Sequence, residues 1–223
     1  MDALPLLFQE GAGFFGGRMG EFFVFEGLDG SGKSTQAKRL YEYFTSIGKN
    51  CLLTYEPSSG ELGRLARAVT KGELMLEDES LALLFAADRY EHFTKKIAPV
   101  LDGGGIVICD RYYYSNIVYQ GVNEHLISRI LDYNQQVMKH PPGIVFYLDT
   151  PPQECLKRLN SSRKDISIYE NLHHLETLDK RYHALFNRPD ENIVTINGSG
   201  KSEQEVWSQI LEATKQLRRP VNP

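Results

Sequence analysis

The run Gly27-Leu28-Asp29-Gly30-Ser31-Gly32-Lys33-Ser34-Thr35 completes the pattern GxxxxGK(S/T). It follows an apolar stretch, FFVFE, and opens a segment of helical spacing, KSTQAKRLYEYF. Gly27, Gly30 and Gly32 let backbone N–H groups turn inward around a polyphosphate, and a helix N-terminus adds partial positive charge. Lys33 is the compact cation able to reach the β and γ phosphates. The hydroxyl of Ser34, followed by Thr35, is placed to hold Mg²⁺. A chance glycine-rich turn would not carry the whole pattern in that strand-to-helix setting, so nucleoside triphosphate binding follows.

The kind of phosphate chemistry must be read elsewhere. No NKxD-type guanine-reading motif occurs in the chain. The run GIVICD ends in Asp110-Arg111, an acid followed at once by a base, which suits a place where a metal and a second phosphate meet; an ordinary strand-end ion pair is the plainer alternative. Phe85 and Arg89 stand four apart and share a helix face. They could stack on a base and bond its carbonyl oxygen, although spacing alone favours a core phenylalanine beside a surface arginine. In YYYSNIVYQG (112–121), a helix would bring Asn116, Tyr119 and Gln120 to one face next to Arg111. The amide of Gln120 could then read a pyrimidine edge, while Tyr113 and Tyr114 are expected to pack against the sheet.

Elements that could position these groups alternate along the chain. FFVFE (22–26), NCLLTY (50–55), GIVICD (105–110), GIVFYLD (143–149) and NIVTI (192–196) are short runs rich in Val, Ile, Phe and Tyr, as buried strands are. Between them KSTQAKRLYEYFTSIG, ESLALLFAADRYEHFTKKIAPVL, HLISRILDYNQQVMKH and PQECLKRL place apolar residues three and four apart. Strands separated by helices require crossovers, so the spacing predicts a mostly parallel sheet with helices on both faces. The polar segment NSSRKDISIY (160–169) reads as a surface loop. Trp207 reads as a C-terminal helix anchor, and His173-His174 and Arg218-Arg219 read as solvated positions.

The 223 residues hold 25 Lys+Arg against 29 Asp+Glu, a net charge of −4, which argues against a dedicated duplex-DNA binder. No apolar run approaches the roughly 18 residues of a membrane span. The cysteines, Cys51, Cys109 and Cys155, are far apart and lack CxxC spacing, so neither a disulfide framework nor a zinc site is expected, and a reducing cytoplasm is the default. Residues 1–19 lack the pattern of a secretory signal; with Met19 as a plausible start, they read as a flexible extension, an expression remnant or a mis-set start.

From about Met19 to the C-terminus the chain resembles the thymidylate kinases, P-loop enzymes that phosphorylate dTMP to dTDP with MgATP. The matching pieces, in order, are EGLDGSGKST (26–35), Glu56-Pro57, LLFAADRYEH (83–92), ICDRYYYSNIVYQG (108–121) and FYLDTPP (146–152) leading into CLKRL. The resemblance implies a three-layer α/β P-loop kinase fold over residues 20–223, with a five-stranded parallel sheet, a short lid at about 160–169 and, often, a homodimer. It implies that Phe85 stacks on thymine, Arg89 bonds a thymine carbonyl, and Gln120 or Asn116 meets the base edge. It also implies that Tyr119 sits against the deoxyribose, and that Arg111, with Glu56, Ser115 and Asp29 nearby, belongs to the dTMP side. Around ATP it implies Gly27, Gly30, Ser31, Gly32, Lys33, Ser34, Thr35 and Arg158, with Mg²⁺ at Ser34 and Asp110. Family members that, like this chain, lack a basic residue after the P-loop acid tend to supply the cation from the lid, where Arg158, Arg163 and Lys164 stand. The implied catalytic set is Lys33, Asp29, Arg111 and Arg163. Departures occur at Ile168-Tyr169-Glu170 in the lid and at Tyr55-Glu56-Pro57-Ser58-Ser59, which lacks the usual Arg before the Glu and the glycines after the Pro. Another nucleoside monophosphate acceptor, or an ATP-sensing module without turnover, are the competing functions at this stage.

Overall fold

A computed structural model describes residues 20–162, 172–187 and 192–217. Residues 1–19, most of the expected lid including Arg163 and Lys164, and Arg218-Arg219 lie outside the described residues. Strands β1 (Glu21–Glu26), β2 (Cys51–Tyr55), β3 (Ile106–Asp110), β4 (Ile144–Asp149) and β5 (Ile193–Asn197) form one sheet in the order β2-β3-β1-β4-β5. Every neighbouring pair is parallel. The five apolar runs of the sequence are these strands, shifted by one residue at most.

Alternation along the strands divides the core. In β1, Phe22 and Val24 face one layer while Phe23 and Phe25 face the other; β3 repeats this with Val107 and Cys109 against Ile106 and Ile108. One layer contains α1 (Lys33–Ser46) and α9 (Glu203–Leu217), whose Ala37, Leu40, Phe44, Val206 and Ile210 are buried. The opposite layer contains α3 (Asp78–His92), α5 (Tyr113–Gln120), α6 (Glu124–Met138), α7 (Pro152–Ser162) and α8 (Leu172–Phe186). A short helix, α2 (Glu61–Thr70), packs on α3 and was not legible as a separate element. Because all strands run the same way, the loops after β1, β3 and β4 emerge together at one edge, where open α/β sheets place their ligands.

The helix expected from Glu79 to Leu101 is broken. After His92 it passes through a π-helical turn, Phe93–Ile97, before α4 (Ala98–Asp102). Pro99 has no N–H to donate into the preceding turn, so a continuous α-helix is disfavoured there. The expected loop at 160–169 also starts late, since α7 continues to Ser162. Tyr113 and Tyr114 are buried, as anticipated, but Trp207 is only half-buried, with the Arg39 guanidinium 5.1 Å from its ring centroid.

Candidate active site

The loop from Gly27 to Gly32 joins β1 to α1, whose first residue is Lys33. Gly27, Gly30 and Gly32 have φ of 140°, 82° and 101°, a region that side chains with a Cβ rarely adopt. At Gly30 the constraint is also steric, because a Cβ would lie 2.5 Å from the carbonyl oxygen of Cys155 in α7. The P-loop is thus wedged against the helix that leads to the expected lid. Arg158, on the same helix, reaches back toward the carbonyls of Ser31 and Gly30 at 3.4 and 3.5 Å. Lys33 is buried and donates to the Leu28 carbonyl at 2.7 Å. Burial lowers its pKa, and the positive Arg111 lowers it further, while Asp29, Asp110 and Glu26 oppose them.

Ser34 Oγ donates to Asp110 Oδ2 at 2.5 Å. The other oxygen, Asp110 Oδ1, is buried without a hydrogen-bond partner among the described residues, as is Ser31 Oγ. A buried acceptor with no donor beside a hydroxyl fits a hard divalent cation, which takes oxygen ligands. The oxygen donors of Ser34 and Asp110 are thus chemically compatible with Mg²⁺.

Arg111 follows β3 with φ of 72°, the single non-glycine residue with positive φ among the described residues. Its amide donates to the Phe25 carbonyl, continuing the sheet, while the left-handed turn redirects the side chain. Arg111 Nη2 donates to Asp29 Oδ1 at 2.5 Å and to the Tyr119 hydroxyl at 3.0 Å; Nη1 donates to Ser115 Oγ at 3.0 Å. Burial works against the guanidinium charge, but Asp29, with Tyr119, Tyr182 and Asp110, outweighs it and raises the pKa well above the ordinary arginine value.

Beneath this turn lies a residue the sequence reading passed over. Glu26, the last residue of β1, is fully buried and accepts from the amides of Tyr112 and Ser115, from Ser115 Oγ at 2.6 Å and from the Tyr182 hydroxyl at 2.9 Å. Burial raises its pKa, partly countered by Ser115, Arg111, Tyr112 and Tyr182. An acid at an inward position of an apolar strand was the available signal.

Beside Arg111 opens a cavity of about 330 Å³ that is lined by Asp29, Glu56, Phe85, Arg89, Asn116, Tyr119 and Gln120 among others. The plain reading of the Phe85/Arg89 pair is overturned here. Phe85 is the half-buried member, and Arg89 is the buried one, with 2% of its surface exposed. Charge compensation explains the reversal. Arg89 Nε donates to Glu56 Oε2 at 2.6 Å, and Nη1 donates to Asn134 Oδ1 at 2.7 Å and Asn116 Oδ1 at 3.2 Å. Glu56 also contacts His92 Nδ1 at 3.1 Å, and His92 Nε2 lies 2.6 Å from Thr54 Oγ1. Asp88 fixes the strand exit by accepting from the Ser58 amide and hydroxyl at 2.7 and 2.5 Å, and Arg67 of α2 donates to the carbonyls of Pro57 and Ser58. Asp88, His92, Asn134 and Arg67 were not foreseen as members of this network, although Asp88 and His92 flank Arg89 in LLFAADRYEH.

A P-loop at the edge of a parallel sheet, an adjoining arginine and beside it a cavity that Phe85, Arg89, Tyr119 and Gln120 help to line together define a phosphotransferase of the nucleotide kinase class. The family profile described as thymidylate kinase matches residues 25–210. A "Probable thymidylate kinase" of Methanococcus aeolicus is 39% identical over 198 residues, covering 87% of this chain and 95% of that protein. Another of Pyrococcus abyssi is 40% identical over 201 residues, covering 88% and 96%. The solved structure of thymidylate kinase from Candida albicans superposes with a TM-score of 0.71 at 25% identity, covering 92% of this chain and 96% of that one. The chain belongs to the thymidylate kinase family.

Proposed function

We propose that the protein transfers the γ-phosphoryl group of MgATP to dTMP, giving dTDP and ADP for dTTP biosynthesis. The observation that carries this reading is the position of Arg111. Its guanidinium bonds Asp29 of the P-loop and Tyr119 of the nucleoside cavity, so one cation spans the junction where donor and acceptor phosphates must meet.

Phosphoryl transfer asks the protein mainly to align two anions and offset their repulsion. An oxygen of the acceptor phosphate attacks the γ phosphorus, and the bond from that phosphorus to the bridging oxygen breaks, leaving ADP. No side-chain base is required, since a phosphomonoester is largely dianionic above its second pKa of about 6. Lys33 and Arg111 neutralise the transferring group, and Asp29 holds Arg111 in place. The P-loop amides, with Ser31, Ser34 and Thr35, cradle ATP, and Arg158 serves the same side. Arg163, outside the described residues, is the remaining cation of the proposed catalytic set. Ser34 and Asp110 would hold Mg²⁺, which would supply charge neutralisation to the ATP phosphates. On the acceptor side Phe85 stacks on thymine, Arg89 bonds its carbonyl, and Asn116 and Gln120 meet the base edge. Tyr119 borders the sugar, Ser115 supports Arg111, and Glu56 supports Arg89.

Residues 20–223 act as the kinase domain, and 1–19 as an extension. A cytoplasmic homodimer is the proposed form. Exposed apolar residues on α3 and before it, Met75, Leu83 and Tyr90, support pairing, and no described helix is long and apolar enough to cross a membrane. The experiment is a coupled ADP-release assay with dTMP, dUMP, dCMP and dAMP as acceptors. Strong preference for dTMP is expected; ADP release with dAMP alone, or with no acceptor dependence, contradicts the proposal.

A further inference from the structure

We infer that Asn134 of α6, outside the nucleotide-contacting set, is a positioning residue that fixes which hydrogen-bonding groups the pyrimidine meets; the inference rests on the dTMP reading of the cavity. Asn134 is 2% exposed. Its Nδ2 donates to the Ile130 carbonyl at 2.7 Å, and its Oδ1 accepts from Arg89 Nη1 at 2.7 Å. A carbonyl can only accept and a guanidinium can only donate, so these two neighbours dictate which end of the carboxamide is nitrogen. The same Nδ2 lies 3.2 Å from Asn116 Oδ1, which also takes Arg89 Nη1. With two donors aimed at its oxygen, Asn116 turns its own Nδ2 to Gln120 Oε1, 3.1 Å away.

The relay therefore runs from a helix backbone through three carboxamides, and each orientation is forced by the one before. Its outcome is a polarity. Arg89 and Gln120 line the cavity, and Arg89 Nη2 and Gln120 Nε2 make no hydrogen bond to any described residue, so the uncommitted groups of both are donors. Donors suit a pyrimidine with a carbonyl at C4. An amino group there would set donor against donor, and a buried unmatched polar group costs roughly 10- to 100-fold in affinity.

The test is Asn134→Asp, which keeps size and the acceptor for Arg89 but replaces the donor Nδ2 with oxygen. Asn116 Oδ1 and the Ile130 carbonyl then each face an acceptor, so Asn116 is held by Arg89 Nη1 alone and the hold on the Asn116 and Gln120 carboxamides loosens. Steady-state kinetics would be measured with dTMP, with dCMP scored as a substrate or as an inhibitor of dTMP turnover. The dTMP KM should rise about 10-fold or more with kcat within about threefold and the ATP KM unchanged, and the dTMP-over-dCMP preference should shrink by a similar factor. Asn134→Ser, which adds no charge to the buried network, is the companion variant and should raise the dTMP KM with the same split. An unchanged dTMP KM and preference ratio in either variant that melts like the wild type overturns the relay, as does a loss falling equally on kcat and the ATP KM. Failure of the wild type to turn over dTMP removes the function reading instead.

Discussion

The proposed phosphate end and the proposed base end of the site are built by different means. Around the P-loop the working groups are largely backbone amides, and their arrangement is written in three glycines within six consecutive residues, Gly27 to Gly32. Around Arg89 they are buried side chains from α3, α5, α6 and the segment after β2, brought together by the fold. The first kind of site is local, so loss of a charge there is expected to leave the fold intact. The second is part of the core, so binding and stability share the same bonds. The buried Glu56–Arg89 pair, with side chains 3% and 2% exposed, is the clearest instance.

Replacing the central cation at each end is the strongest way to break this contrast. Lys33→Ala should lower kcat by at least about 10²–10³-fold, the scale of a lost transition-state donor, while the melting temperature stays near wild type. Turnover within tenfold of wild type would remove Lys33 from the chemistry. Arg89→Ala should raise the dTMP KM and also destabilise the fold by about 3–5 kcal/mol, because it removes the guanidinium from the buried Glu56 carboxylate and leaves it only His92 Nδ1. Denaturant unfolding checks the second part. An Arg89→Ala protein as stable as the wild type would mean that the two ends are not built differently.

Two smaller effects sharpen the comparison. Gly30→Ala should cost about 1–3 kcal/mol through its positive φ and its approach to Cys155, showing that even the local site is under tertiary constraint. Urea melts would measure it, and an unperturbed midpoint would contradict the close approach. The least effect is expected away from both ends, at His183 of α8, whose Nε2 lies 3.4 Å from Asp149 Oδ1. Burial lowers its pKa, but the Asp179 carbonyl and the carboxylates of Asp179 and Asp149 prevail and raise it above 6.5. With the folded value above the unfolded one, the contribution is complete below about pH 6.5 and is lost as pH rises through the folded value. Because the pair is half exposed, a shallow decline in melting temperature from pH 6 to 8 is expected, and His183→Gln should flatten it.

The same contrast explains what could be read from the sequence. The strands, the parallel sheet, the glycine loop between β1 and α1 and the face of Asn116, Tyr119 and Gln120 were legible, because period and glycine spacing are local signals. Burial of Arg89 was not. Spacing puts Phe85 and Arg89 on one face, but whether a charge can be buried depends on partners 33 and 45 positions away, Glu56 and Asn134. Glu26 was hidden for the same reason, since the groups that satisfy it, Tyr112, Ser115 and Tyr182, come from the β3 exit and from α8. The short α2 escaped because ELGRLARAVT follows a glycine-and-serine stretch with no capping side chain bonded at its start.

The central claim is that the P-loop and the Arg89 cavity bring two nucleotides phosphate to phosphate at Arg111. The direct measurement is incubation of the purified protein with magnesium, dTMP and ATP labelled in the γ-phosphoryl group, followed by separation of the nucleotides. Label in the β position of dTDP is the predicted result. Label left in ATP, or released as inorganic phosphate without dTDP, contradicts it.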